Sequence, residues 1–215
     1  MAEITPEGAR RAIQEASRLA DLIELRLDHM RPPRLEALLE RGKKPFIATN
    51  RRPEEGGKYQ GEERERLAVL RRAAEMGVDF LDVEVGSDRA LLSDLMARRG
   101  RAGLILSFHD FRGTPSGEEL FRLCRLMMRR QAEVVKIVTL ARSPADNLRT
   151  LALIPYAREK GQEIVAFCMG KKGRMSRIFA PLIGASWTYA ALDGRRATAP
   201  GQLTVAELRE AWRRW

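Results

Sequence analysis

The 215-residue chain predicts an α/β fold, and within that class a (β/α)8 barrel. Short apolar segments alternate with amphipathic helical ones at a spacing of about 25 to 30 residues, which suits βα units. The first strand candidate is followed by neither a Gly-x-Gly-x-x-Gly nor a Walker-type sequence, which disfavours a doubly wound sheet. With 44% hydrophobic residues, the chain is long enough for one core. We therefore expect a single catalytic domain over residues 1–215.

Strand candidates are short and rich in β-branched or aliphatic residues, and they lie at Leu22–Leu27, Pro45–Asn50, Phe80–Val85, Gly103–Phe108, Val134–Leu140, Ile164–Met169 and Ser186–Ala190. Helix candidates have apolar residues three or four apart and fill the gaps at Pro6–Ala20, Arg34–Arg41, Glu62–Met76, Arg89–Arg99, Ser116–Arg130, Pro144–Lys160 and Val205–Arg213. Ser116 with Glu119 three residues later, and Pro144 after Ser143, are start signals. Eight strands close a barrel only if Ala2–Ile4 contributes one, so we expect a short or truncated first strand.

Composition narrows the class of protein. The net charge of +10 is compatible with nucleic acid, an anionic small substrate or a general preference for arginine. The basic residues occur in short pairs such as Arg71-Arg72, with acidic residues between them, which favours solvated helix faces over a nucleic-acid surface. Cys124 and Cys168 form no Cys-x-x-Cys pair, so reduced structural thiols are expected rather than zinc ligands. With no apolar run near the length of a membrane span and no leader pattern, we expect a cytoplasmic protein.

Lys136 is the most informative residue for chemistry. It stands alone in the run Val134-Val135-Lys136-Ile137-Val138, in a chain with 32 arginines and 7 lysines. Burying an ammonium in an apolar strand is costly unless the group pairs or loses its proton, and the neutral amine attacks carbonyl carbons. A carboxylate partner or an edge strand would explain the lysine equally well from this segment alone.

Charged residues also occupy the ends of other strand candidates. Glu24, Arg26 and Asp28 have the period of two that places side chains on one face of a strand. They could form a structural ion-pair layer or hold a substrate. Arg51 follows the next strand directly, where its guanidinium could grip a carboxylate or hydroxyl groups.

The segment Ser107-Phe-His-Asp-Phe111 ends the strand before that of Lys136 and contains one of only two histidines. A histidine there is placed for general acid–base work, although His109 on its own could be structural. The other histidine, His29, is interpreted as structural or as a rim residue.

Two later loops suit an anionic or polyhydroxylated ligand. Gly170–Arg177 is small and basic and leads into a helix; Lys171 and Lys172 are interpreted as an exposed turn, but Arg177 is not. Ala199-Pro-Gly-Gln202 ends a polar loop that could act as a lid, with Gln202 supplying an amide.

Together these segments resemble the type I 3-dehydroquinate dehydratases, the Schiff-base class of 3-dehydroquinase. The resemblance spans nearly the whole chain and is carried, in order, by Glu24-Leu-Arg-Leu-Asp28, Thr49-Asn-Arg51 with Glu55-Gly-Gly57, Ser107-Phe-His-Asp-Phe111, Val135-Lys-Ile137, Met169-Gly with Ser176-Arg177, and Ala199-Pro-Gly-Gln202. It implies a (β/α)8 barrel, usually a homodimer, that converts 3-dehydroquinate to 3-dehydroshikimate in the shikimate pathway. It implies no metal or organic cofactor, and no nucleic-acid or membrane partner.

The same resemblance implies roles for individual residues. Lys136 would form the imine with the substrate ketone, His109 would transfer protons, and Glu55 would orient and tune that histidine. The remaining matches would bind substrate, and these are Glu24, Arg26, Arg51, Met169, Arg177, Thr198 and Gln202. Two features depart from the family: Thr198 stands where serine is more usual, and the first strand is shorter.

Two other functions compete with this one. A Schiff-base aldolase or transaldolase would also use a strand lysine. It would usually need a phosphate-binding site near the last two strands, however, and Ala199–Gln202 is poorly suited to bind phosphate. A nucleic-acid-binding module would need exposed aromatic residues among its basic ones, yet aromatics make up only 6% of the chain.

Overall fold

Strands alternating with helices make up the computed structural model, which describes residues 6–30, 35–39, 44–194 and 198–213. The strands described are Ile23–Arg26 (β1), Phe46–Thr49 (β2), Phe80–Glu84 (β3), Gly103–Asp110 (β4), Val134–Leu140 (β5) and Glu163–Met169 (β6). The α-helices are Pro6–Leu19 (α1), Leu35–Leu38 (α2), Glu63–Glu75 (α3), Arg89–Arg98 (α4), Gly117–Arg129 (α5), Pro144–Leu151 (α6), Leu153–Arg158 (α7), Arg174–Leu182 (α8) and Val205–Trp212 (α9). Single 3-10 turns follow β1, β2 and β6, at Leu27–His29, Pro53–Glu55 and Lys171–Gly173.

The N-terminal unit covers residues 1–105. In it β1 pairs with β2 and β2 with β3, both in parallel, with Arg26 opposite Thr49 and Thr49 opposite Asp82. Ile23 and Leu25 of β1 are buried, and Glu24 between them faces the other side of the strand. This alternation brings polar side chains of neighbouring strands onto a shared face.

The C-terminal unit covers residues 106–215. Strands β5 and β6 pair in parallel along their whole length, from Val134 opposite Glu163 to Leu140 opposite Met169. Helices α6, α7 and α8 pack against β6, whose residues after Glu163 are all buried. Cys124 and Cys168 are free, buried thiols, and burial raises the pKa of Cys124 to about 11.

Most predicted elements are present within one or two residues of their predicted ends, but two predictions are wrong. Ser186–Ala190 is not a strand in the described chain; the nearest pairing is an isolated bridge between Ala191 and Thr204. Its alternating aromatic residues reflect packing instead, because the Tyr189 ring lies against Phe167 and Lys136. The predicted helix Pro144–Lys160 is two helices that meet at Ala152, since Pro155 has no N–H to continue the ladder.

Some predictions fall outside the described residues: the first strand at Ala2–Ile4 and the ends of the helix predicted at Arg34–Arg41. Throughout the part of the chain that is described, every helix is too short or too polar to cross a lipid bilayer.

Candidate active site

Arg51 lies at the centre of a buried ion-pair cluster in the N-terminal unit, directly after β2 and Asn50. Its Nη2 is 2.7 Å from Asp82 Oδ1 and its Nη1 is 3.1 Å from Glu84 Oε1, and both carboxylates belong to β3. Burial alone would lower the pKa of Arg51, but Asp82 and Glu84 outweigh that effect and raise it above its ordinary value. Glu24 and Glu55 add to the rise, so these four carboxylates act on one guanidinium.

Arg26 and Asp28 form a second ion pair at the end of β1. Arg26 donates from Nε and Nη2 to the two oxygens of Asp28, each at 2.8 Å, which is the bidentate geometry that fixes a guanidinium most firmly. Asp28 also accepts from the backbone N–H of Lys58 at 3.0 Å. Burial would raise the pKa of Asp28, but the bonds to Arg26 lower it below its usual value. Glu24 is held separately, by a 2.9 Å bond from the Thr49 hydroxyl.

Glu55 ends the 3-10 turn after β2 and is buried. The chain then folds back on itself: Gly56 has a left-handed φ of 79°, and a Cβ on Gly57 would lie 1.9 Å from the carbonyl oxygen of Arg51. Only glycine fits at such an approach. The Glu55-Gly-Gly57 sequence therefore holds the Glu55 loop tightly against the backbone of Arg51.

Lys136 is the third residue of β5 in the C-terminal unit and is only 4% exposed. Its Nζ lies 4.2 Å from the centre of the Tyr189 ring, at a distance where a ring face attracts an ammonium. The Tyr189 ring is in turn 6.2 Å from the Phe167 ring of β6. An aromatic pair thus borders the lysine amine.

Arg177, on α8, stands at the other end of this aromatic pair. Its guanidinium carbon lies 4.3 Å from the centre of the Phe167 ring, and the residue is 1% exposed. Its Nε and Nη2 have no hydrogen-bond partner within the described part of the chain. Burial lowers the pKa of Arg177 to about 10. A buried guanidinium with unused donors has the charge and the hydrogen-bonding capacity to bind an anion.

The segment Ala199–Gln202 lies against the end of β6. Gly170, which follows Met169, donates its N–H to Pro200 O at 2.9 Å, and a Cβ on Gly201 would lie 2.3 Å from the Gly170 carbonyl oxygen. The backbone N–H and hydroxyl of Thr198 donate to Gln202 Oε1 at 2.8 and 3.3 Å. These bonds occupy the amide oxygen of Gln202, and the NH2 group is the part of the amide that can donate a hydrogen bond.

His109 lies near the C-terminal end of β4 and is partly exposed, as its place in Ser107–Phe111 predicts. Met169 ends β6 and is buried. His29 contacts Asp28 at 3.6 Å and is largely buried; burial, followed by the charge of Arg26, lowers its pKa. Its structural interpretation agrees with this position.

Sequence reasoning did not identify the partners of these residues. Asp82 and Glu84 have the same period-two spacing in a strand that drew attention to Glu24 and Arg26, so the signal was present in β3. Arg66 of α3 and Tyr189 carried no comparable signal, because an arginine in an amphipathic helix and a tyrosine in a predicted strand are ordinary residues at such positions.

Relatives identify the chain. A profile of the type I 3-dehydroquinase family matches residues 2–214. The chain belongs to this family. It is 45% identical over 195 residues to a 3-dehydroquinate dehydratase of Thermococcus gammatolerans, an alignment that covers 89% of this chain and 86% of that protein. The family assignment confirms the prediction of a 3-dehydroquinate dehydratase, which is a carbon–oxygen lyase.

Solved structures of 3-dehydroquinate dehydratases agree on the fold. The 3-dehydroquinate dehydratase of Geobacillus kaustophilus superposes with a TM-score of 0.86 at 26% identity, covering 98% of this chain and 86% of that chain. The type I enzyme of Clostridium difficile, solved with covalently modified comenic acid, gives 0.82 at 26% identity over 94% and 85% of the two chains. The predicted fold class, an α/β protein of the (β/α)8 barrel type, is therefore confirmed.

Proposed function

We propose that this chain dehydrates 3-dehydroquinate to 3-dehydroshikimate through an imine on Lys136. The observation that carries the proposal is the pair of basic side chains in the C-terminal unit, Lys136 and Arg177, which are both nearly fully buried and border the two ends of the Tyr189–Phe167 pair. A ketone that also bears a carboxylate meets both: the amine attacks the carbonyl carbon, and the guanidinium binds the anion.

The first step is condensation of the Lys136 amine with the C3 ketone, which releases water and leaves an iminium. The iminium withdraws electrons from C2 and makes its proton acidic. Loss of that proton gives an enamine, and the enamine expels the C1 hydroxyl group. Hydrolysis of the conjugated imine then releases product and restores the amine.

His109 is proposed to take the C2 proton and to return a proton to the departing C1 hydroxyl, so that one imidazole serves as base and then as acid. Its partial exposure at the end of β4 supports this role, because the group must exchange protons with substrate. Glu55, a buried carboxylate, is proposed to orient and tune the imidazole.

Substrate hydroxyl groups are proposed to bind Glu24, Arg26 and Arg51. Thr49 holds Glu24, Asp28 holds Arg26, and Asp82 with Glu84 holds Arg51. These contacts support a rigid polar frame for the substrate.

The substrate carboxylate is proposed to bind the unused donors of Arg177 and the amide NH2 of Gln202. Met169 is proposed to line the pocket beside them. Thr198 was predicted to touch substrate; its two bonds to Gln202 Oε1 support a role in orienting that amide.

We further propose a cytoplasmic homodimer that needs neither a metal nor an organic cofactor and works in the shikimate pathway. Exposed apolar side chains on α6 and α8, among them Leu148, Met175 and Leu182, are candidates for the subunit interface. Light scattering would measure the dimer mass, and an unchanged rate after treatment with chelators would support the absence of a metal.

Borohydride reduction in the presence of 3-dehydroquinate tests the mechanism. The expected result is a single ligand-derived mass increase that maps to Lys136, together with growth of the near-ultraviolet absorbance of the conjugated product in unreduced samples. Lys136→Ala should abolish both signals. His109→Ala should still give the adduct but little product, because the proton-transfer steps stall.

Arg101→Ala, a change on the loop before β4, is the matched control and should leave the adduct and the product intact. Turnover that persists in Lys136→Ala would contradict the imine mechanism. A folded wild-type protein that gives neither adduct nor product would contradict the proposed substrate and return attention to the aldolase interpretation.

A further inference from the structure

We propose that Arg66 is a positioning residue for substrate binding, acting on Arg51 through Glu84. The inference rests on the proposed function, in which Arg51 binds substrate hydroxyl groups. Arg66 belongs to α3, outside every motif that the family resemblance uses, and its side chain is fully buried at 0% exposure. A fully buried arginine in an otherwise ordinary amphipathic helix requires a reason, because arginine is among the residues that are buried least often.

Glu84 connects the two arginines. Its Oε2 accepts from Arg66 Nη1 at 2.7 Å, while its Oε1 lies 3.1 Å from Arg51 Nη1 and accepts from the backbone N–H of Arg52 at 3.1 Å. The carboxylate is therefore divided, with one oxygen for each guanidinium. If Arg66 were absent, both oxygens of this buried carboxylate would be available to Arg51, and the Arg51 donors would be drawn into the ion pair and away from a ligand.

Arg66 also contacts the backbone beside Arg51. The same Nη1 donates to Asn50 O at 2.9 Å, and the Asn50 amide donates to Arg66 O at 3.3 Å. Arg66 thus fixes the residue before Arg51 and the carboxylate that holds the Arg51 side chain. The contacts of Arg66 with Glu84 and with Asn50 O therefore both constrain Arg51, which is the arrangement expected of a residue that sets the direction of the Arg51 guanidinium.

The remaining contacts of Arg66 provide a matched control. Nη2 donates to the Ser87 hydroxyl at 2.8 Å and to Glu63 Oε1 at 2.9 Å, and Nε donates to Glu63 Oε2 at 2.8 Å. Ser87→Ala removes one bond from Arg66 but leaves Glu84 and Asn50 untouched. If Arg66 contributed only to packing, Ser87→Ala and Arg66→Gln would both lower thermal stability to different extents and neither would raise KM. If Arg66 positions Arg51, Arg66→Gln raises KM and Ser87→Ala does not.

The test is steady-state turnover of 3-dehydroquinate by the full chain and its variants, with thermal unfolding measured in parallel. Arg66→Gln is expected to raise KM about tenfold and to change kcat by less than about threefold, because a misdirected Arg51 loses binding common to substrate and transition state. Arg66→Lys, which keeps a cation near Glu84, should recover most of the loss. Ser87→Ala should keep the wild-type KM.

A double-mutant cycle with Glu84→Gln isolates the pathway. If Arg66→Gln alone does not fold, comparing Glu84→Gln with the double variant still decides the question, since the paired glutamines bury no lone charge, and a tenfold rise of KM between these two variants would overturn the inference. With Gln at position 84, adding Arg66→Gln should raise KM by less than about threefold, because only the contact of Arg66 with Asn50 O is then lost. An equal rise of KM in both backgrounds, or parallel losses of kcat and thermal stability without a change of KM, would overturn the inference. A wild-type protein inactive on 3-dehydroquinate would overturn the proposed function, and this inference with it.

Discussion

Two buried arginines of this chain have opposite electrostatic surroundings. Arg51 in the N-terminal unit is paired with Asp82 and Glu84, and these carboxylates raise its pKa despite burial. Arg177 in the C-terminal unit rests on the Phe167 ring, and burial lowers its pKa to about 10. One guanidinium is compensated by the protein; the other has two nitrogens without a partner among the described residues.

The difference separates two tasks. A compensated arginine contributes to the folded structure and offers a fixed donor to neutral hydroxyl groups. An uncompensated one costs folding free energy and recovers that cost when an anion binds, so it selects for negative charge. The proposed function uses this difference, since Arg51 is proposed to bind substrate hydroxyl groups and Arg177 the substrate carboxylate.

The largest effect on the free energy of unfolding is expected for Arg51, the compensated arginine. Arg51→Met would leave Asp82 and Glu84 as buried carboxylates that have lost this partner, so the free energy of unfolding should fall by about 3 to 5 kcal/mol. Urea denaturation measures this quantity. Arg51→Met combined with Asp82→Asn should recover part of the loss, and an unchanged midpoint in the single variant would show that the cluster does not stabilise the fold.

Arg177→Met should raise the free energy of unfolding, whereas Arg51→Met should lower it. The folded pKa of about 10 lies below the ordinary arginine value, so the cost of the charge is present at every pH below about 10 and fades only above it. Removing the charge should therefore raise the free energy of unfolding by about 1 to 3 kcal/mol at pH 7.

The same variant should lower kcat/KM for 3-dehydroquinate about 100-fold, through the loss of the charged hydrogen bond that Arg177 is proposed to make to substrate. Arg177→Lys serves as the control that keeps the charge. A destabilised Arg177→Met would mean that the guanidinium has a compensating partner after all, and would remove the contrast with Arg51.

The smallest effect concerns Asp28, the carboxylate that compensates Arg26. Its pKa is lowered in the folded chain, so its contribution is complete above its unfolded pKa of about 4 and is lost as pH falls through the folded value. Asp28→Asn should cost about 1 to 2 kcal/mol at pH 7 and flatten the loss of stability below about pH 4. Thermal unfolding from pH 7 to pH 3 would show this, and parallel curves for wild type and variant would contradict it.

Much of the fold was predictable from local patterns, because β-strand and helix periodicities depend on the nearest few residues. The strand Val134–Leu140 and the capped helix after Ser116 are present as predicted. Ser186–Ala190 was mispredicted since aromatic alternation looks the same whether rings face a sheet partner or pack on Lys136. The break at Ala152 had a local signal in Pro155.

The sequence by itself determined which residues could carry the chemistry: the lone lysine of an apolar run, the histidine that ends a strand, and the arginines that follow strand ends. Only the tertiary structure decided their electrostatic states. Arg51 and Arg177 are the same residue type and equally buried, yet their pKa values shift in opposite directions. The reason is physical: burial follows from local hydrophobic pattern, whereas compensation requires a carboxylate such as Asp82 or Glu84, which lies 31 or 33 positions from Arg51 and becomes its neighbour only when β2 pairs with β3.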